Sequence, residues 1–240
     1  MKRVIAGFLA ATFSLGIGFA DPSTPPIPEN ELVHRYVDAT QQQQDALRGG
    51  TMEVDIDASV PSMKAQGKLH ALKSISKLGK ITYHALGFSG DNSVKNDVIA
   101  RYLKAEVDAS QSDKNYSLTP QNYKFKYKGM ENRDGRDVFV FGVKPRQKKV
   151  GFFKGELWLD ATSYLPVRES GTFVKTPSIF LKKMQFVRVY EIQNGVAVPQ
   201  RVESKADVRF IGAVELNINY SKFSKEEPDT VAGVASDPQQ

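Results

Sequence analysis

The side chains best equipped for chemistry are few and scattered. His34, His70 and His84 are the only histidines. No two stand at the spacing that brings paired imidazoles to one metal, so each reads as a packing or surface residue. Asp55 and Asp57 alternate along one stretch and would share a strand face, as the paired carboxylates of a glycosidase must, but acids on any solvated strand do the same. No glycine-rich phosphate loop, His-Glu-x-x-His or Gly-x-Ser-x-Gly occurs. Cysteine is absent, which removes disulfides, thiolate nucleophiles and cysteine-held metals together. The expectation is a protein that is not an enzyme, with no catalytic residue, no metal site and no cofactor.

Tyr123, Phe125 and Tyr127 interleave with Lys124, Lys126 and Lys128 in a chain of net charge +6. A nucleic-acid platform needs aromatics and cations on one exposed face. A strand sends these two sets to opposite faces, aromatics to a core and lysines to water, so no nucleic-acid partner is expected.

The elements that position these residues follow from the pattern of apolar residues. Residues 1–20 pass from Lys2 and Arg3 through the apolar run Val4–Phe13 to small residues ending at Ala20, the layout of a secretory signal cleaved after Ala20. The apolar stretch is shorter than the ~20 residues of a span and is broken by Thr12, Ser14 and glycines. With no cysteine to accept a lipid anchor, the expected destination is the periplasm. Residues 21–28 (DPSTPPIP) hold four prolines and read as an extended linker. Residues 29–223 read as one domain and 224–240 as a disordered tail.

Leu32, Val33, Tyr36 and Val37 begin a helical stripe that Gly49-Gly50 ends, and the Gln41–Gln44 run within it reads as a solvated face. From Thr51 the period becomes two: Met52, Val54, Ile56 and Ala58 oppose Glu53, Asp55 and Asp57. Strands are expected at 66–73 and 80–87, then a second helix at about 93–109 with Asp91 or Asn92 as cap. The remaining strands are expected at 123–128, 136–143, 150–160, 165–175, 183–192, 196–204 and 207–222. Asn194-Gly195 is the clearest hairpin signal. About ten strands with short connections favour antiparallel neighbours. A sheet of that size with one apolar face and only two helices to cover it either encloses a hydrophobic cleft or packs tightly, and both remain open at this point.

The segment Gly155-Glu-Leu-Trp-Leu-Asp160, followed by Tyr164-Leu-Pro-Val-Arg168 and a strand-loop-strand through Pro177, resembles the tryptophan strand, aspartate turn and proline strand of periplasmic lipoprotein carriers of the LolA/LolB type. The Gly195–Gln200 hairpin and the closing Gly212–Phe223 strand resemble outer-membrane lipoprotein-sorting proteins. The resemblance implies an α+β, mainly β fold: a strongly curved antiparallel half-barrel of about ten strands covered by two helices. It also implies a periplasmic carrier or binder of lipid or acylated protein that makes transient contact with a membrane or a membrane-protein partner. At about 0.8 kcal/mol per buried methylene, an apolar cleft draws an acyl chain out of water without a catalytic group. An envelope sensor or protein-interaction module with the same fold is the alternative, and a hydrolase of envelope polymers the third. The family's arginine latch on the early strands has no counterpart, because no arginine lies between Arg48 and Arg101. Lys64, Lys68, Lys73, Lys77 and Lys80 stand there instead, without arginine's forked donors.

Strand parity nominates the lining of such a cleft. Leu157 and Leu159 point away from Trp158, and Phe139, Phe141, Phe186, Tyr190, Leu216 and Ile218 lie on apolar parities of their strands. Ile179 and Phe180 fall in a connection, where exposed apolar groups suit a flap or a membrane contact.

Overall fold

The computed structural model describes residues 27–111 and 116–225. The expected signal, residues 21–26 of the linker and residues 226–240 of the tail lie outside them. Helix α1 (Glu29–Leu47) buries Leu32, Val33 and Tyr36, carries Glu29 and Glu31 in its first turn and ends before Gly49 at φ 76°. The acids complement the positive end of the helix dipole, and the glycine adopts the left-handed backbone that closes a helix cheaply. Gln43 departs from the expected solvated run: it is buried, and its Nε2 donates to the Ala197 carbonyl at 2.7 Å.

Ten strands follow: β1 (Gly50–Val60), β2 (Ala65–Ile75), β3 (Ile81–Gly90), β4 (Tyr123–Arg133), β5 (Arg136–Pro145), β6 (Phe153–Asp160), β7 (Pro166–Phe173), β8 (Leu181–Gln193), β9 (Val196–Val208) and β10 (Gly212–Lys225). They form one antiparallel sheet in the order β3-β2-β1-β10-β9-β8-β7-β6-β5-β4. The fold is the mainly β half-barrel expected: an open, curved sheet with helices on one face. Consecutive hairpins build both arms, and the pairing of β1 with β10 joins them. The second helical segment is α2 (Asn92–Val94), a π-helical turn at Lys95–Ile99 and α3 (Ala100–Ser110). It connects the two edge strands, so its path lies across the sheet. Asp91 does not cap it. Its carboxylate instead accepts the Gln66 N–H at 2.8 Å, tying the helix entrance to β2.

Most strand ends shift by a few residues from expectation, β4 running on to Arg133 and β6 beginning only at Phe153, and two differences bear on the fold. The strand expected over 207–222 is divided, because Asp207 and Val208 finish β9, and Arg209, Phe210 and Ile211 turn the chain into β10. Phe210 takes φ 67° there, a conformation that local sequence does not announce for an aromatic residue. At the other end of β10, Ser224 and Lys225 are strand, so a tail begins no earlier than residue 226. The Asn194-Gly195 turn has φ 51° and 78°, as the primed hairpin requires.

The helix-covered face holds two apolar clusters. Under α1, Leu32, Val33 and Tyr36 meet the aromatics of β4, β5 and β6 together with Phe186. Under α2 and α3, Val94 and Ile99 meet Met52, Val54, Ile56, Leu216 and Ile218. Both belong to one face, since Val202 of the second cluster is registered with Arg188, which shares its strand parity with Phe186 of the first. On the opposite face the acids of β1 are paired across strands: Glu53 with Lys222 at 2.9 Å, Asp55 with His70 at 2.8 Å, and Asp57 with Lys68 at 2.7 Å.

Candidate functional site

The first half of α1 does not lie flush on the edge strand. Between them is an open cleft of about 430 Å³ with Val33, Val37, Tyr123 and Phe125 as its apolar walls and Glu29, His34, Gln121 and Arg146 among the residues at its rim. Its volume lies within the range of small-molecule sites, roughly 300–1,000 Å³. Alternation in β4 puts Tyr123, Phe125 and Tyr127 on this side while Lys124, Lys126 and Lys128 face water, as expected. Glu29 fixes the helix over the edge by accepting the Tyr127 N–H at 3.1 Å, which also occupies a donor that a bare edge strand would present to other chains. Arg146 is held at the rim by donating from Nε to the Pro120 carbonyl at 2.7 Å.

Behind the cleft the aromatics are in contact. Phe125 meets Tyr36 and Phe141 at 6.2 Å, Tyr127 meets Phe141 at 5.5 Å, and Phe153 meets Phe186 at 4.9 Å in edge-to-face geometry. Burial pushes the Tyr123 phenol up to about 12, so it stays neutral and presents an uncharged wall.

Beside the cluster under α2 and α3, whose border includes Tyr83, Tyr102 and Tyr220, the face carries buried polar groups. Lys73 of β2, only 4 % exposed, is ion-paired to Glu106 of α3, and the Tyr83 hydroxyl donates to the other Glu106 oxygen at 2.5 Å. The Lys73 ammonium also lies 5.7 Å from the Tyr83 ring centre and 5.4 Å from that of Tyr220. Further along, Arg188 of β8 pairs with Glu169 of β7 at 3.1 Å and reaches the Tyr190 hydroxyl at 3.4 Å. Burial alone would push the Glu106 carboxyl up, but the Lys73 charge and the hydrogen bonds from Lys73 and Tyr83 hold it below the usual carboxylate range. The phenols of Tyr83, Tyr102, Tyr190 and Tyr220 are all raised, chiefly by burial. A general acid needs a carboxyl held protonated, and Glu106 is held ionised. These groups clamp α3 to the sheet.

Of the residues nominated from the sequence, Phe139, Phe141, Leu157, Leu159 and Phe186 are buried together in the cluster under α1. Leu216 and Ile218 lie in the other cluster. Tyr190 belongs to the polar groups, while Ile179 and Phe180 are exposed between β7 and β8. The cleft walls are other residues, and Val33, Val37 and Phe125 were visible only as members of apolar stripes. Lys73 enters the sequence reading only as one of the early-strand lysines and Glu106 not at all, although each stands on an apolar parity, Lys73 with Leu69 and Ala71 and Glu106 beside Tyr102 and Leu103. A charge in that position is the available signal for a buried pair. Trp158 lies outside the helix-covered face, between the guanidinium groups of Arg133 and Arg168 at 5.2 and 4.8 Å.

Residues 106–231, just over half of the chain, match the model of a family described as "-like: Uncharacterized protein". No curated protein matches. Among solved structures, a DUF1329 family protein from Desulfovibrio piger is similar at 13 % identity and TM-score 0.46, over 89 % of this chain and 96 % of that one. A LolA superfamily protein from Nitrosomonas europaea is similar at 12 % identity and TM-score 0.41, over 83 % and 96 %. A putative outer membrane lipoprotein-sorting protein domain from Vibrio parahaemolyticus is similar at 14 % identity and TM-score 0.39, over 80 % and 92 %. No helix among the described residues is long and apolar enough to cross a membrane.

Proposed function

We propose a function for this chain, which belongs to the family whose model matches residues 106–231: it is a periplasmic, non-enzymatic binder or carrier of an acyl chain, free or attached to a protein. The observation that carries this reading is the apolar cleft between α1 and β4, which has a basic residue, Arg146, at its rim. An acyl chain would lie along Val33, Val37 and Phe125, with an anionic end near Arg146. Each methylene buried contributes about 0.8 kcal/mol, so a partly covered chain is bound and still able to leave. Phe139, Phe141, Leu157 and Leu159 form the packed layer behind the cleft, into which a longer chain would press by displacing α1. Phe186, Tyr190, Leu216 and Ile218 are proposed as the farther reach of that path across the same face.

Binding of a fluorescent fatty acid in vesicle-free buffer tests this. The native chain should bind it, and Val37→Trp, which fills the cleft from a half-buried position, should weaken binding about tenfold or more, the equivalent of ~1.4 kcal/mol. Equal affinity in the variant, or no binding by the native chain, would remove the cleft from the account. The close packing beneath α2 and α3 favours a second reading, an envelope sensor or protein-interaction module of the same fold. That reading expects no bound acyl chain.

A further inference from the structure

The strand register gathers the turns after β1, β5, β7 and β9 at one end of the sheet, together with the approach to β4. Among the described residues, ten large apolar side chains are exposed, and seven of them stand in these connections. Met63 is 59 % exposed, Ile179 80 %, Phe180 54 % and Phe210 97 %, with Val150, Ile211 and Tyr116 nearby. The opposite end has Leu78 alone. The same connections contain Lys64, Arg146, Lys148, Lys149, Lys175 and Arg209, all exposed. The one acid among the described turn residues at this end is Asp91, whose carboxylate is engaged by Gln66.

These tips are held in place. The Arg209 N–H donates to the Phe180 carbonyl at 2.8 Å, and the Ser62 hydroxyl donates to the Ile211 carbonyl. Three separate connections are thereby fixed side by side. Phe210 is presented to solvent from a left-handed backbone that an aromatic residue adopts only at a cost. Exposed apolar groups beside an excess of cations match the two attractions of an anionic bilayer, whose interface takes up the apolar tips while its head groups meet the lysines and arginines. The cleft under α1 opens at this same end, because Tyr123, Gln121 and Arg146 of its lining stand at the start of β4 and just beyond β5.

We propose that this end of the sheet docks onto an anionic membrane surface through Phe210, Ile179, Phe180 and Met63, with the surrounding lysines and arginines engaging lipid head groups and the cleft mouth turned toward the bilayer. The proposal rests on the acyl-binding reading for its purpose but not for its test. Flotation of the exported protein with vesicles of neutral phosphatidylcholine, with and without phosphatidylglycerol, reads docking directly. Binding should require the anionic lipid and should weaken as salt rises from about 0.1 to 1 M, which shortens the Debye length from roughly 10 to 3 Å. Phe210→Ser combined with Phe180→Ser, and separately Lys148→Glu with Lys149→Glu, should each reduce the bound fraction about tenfold or more. Fatty-acid binding in vesicle-free buffer should persist in both, so loss of docking is distinguished from loss of the cleft. Absence of vesicle binding by the native protein would overturn the proposal. So would undiminished binding by the serine variant, or self-association in solution that this variant abolishes.

Discussion

Lys73 sits on the strand parity of Leu69 and Ala71, where a charge is stranded unless something descends to meet it. Glu106 does so from α3, and Tyr83 completes its second oxygen. Removing one partner leaves the other buried and alone, so Lys73→Ala should cost about 3–5 kcal/mol. Lys73→Met with Glu106→Leu should recover most of it, as a urea double-mutant cycle would show. Because the Glu106 carboxyl is held below its ordinary range, its pairing contributes fully above the unfolded value of about 4.3 and is lost as pH falls through the lower folded value. Glu106→Gln should therefore flatten the acid limb of stability below the unfolded value, seen as a smaller loss of urea midpoint on acidification than in the native chain. The sequence contains both residues on apolar parities, but only the path of α3 across the sheet brings them together.

Strands are legible because alternation fixes which face each residue takes. Met52 to Ala58 and Tyr123 to Tyr127 lie on the expected sides for that reason. What alternation does not reveal is how close two strands come. A Cβ on Gly155 would lie 1.8 Å from the Ser170 carbonyl oxygen, whereas one on Gly87 would meet nothing within 4 Å. Gly155→Ala should thus separate β6 from β7 and cost roughly 2 kcal/mol or more, while Gly87→Ala on the outer strand should stay within about 0.5 kcal/mol. Thermal or urea unfolding of the two variants side by side checks this. The turn at Arg209-Phe210-Ile211 is hidden for a different reason: the positive φ inside it falls on Phe210, and the glycine that usually announces such a bend, Gly212 at φ 92°, comes only after it.

At the scale of the whole molecule, consecutive hairpins and the antiparallel sheet follow from short connections, and the pairing of the first strand with the last completes a single face under two helical segments. Sequence reasoning anticipated an oily surplus on that face but not its division. Buried polar groups border the cluster under α2 and α3, and the open apolar space lies at the edge, under the start of α1. Edge placement matters because the strands also bring the exposed apolar tips and the lysines to the same end. The most direct measurement is native mass spectrometry of the full chain, released from its cell without detergent. The account predicts a mass excess corresponding to acyl-bearing molecules in the native protein, largely missing from Val37→Trp. A native protein that carries no added mass, or a Val37→Trp protein that carries the same mass, would contradict it.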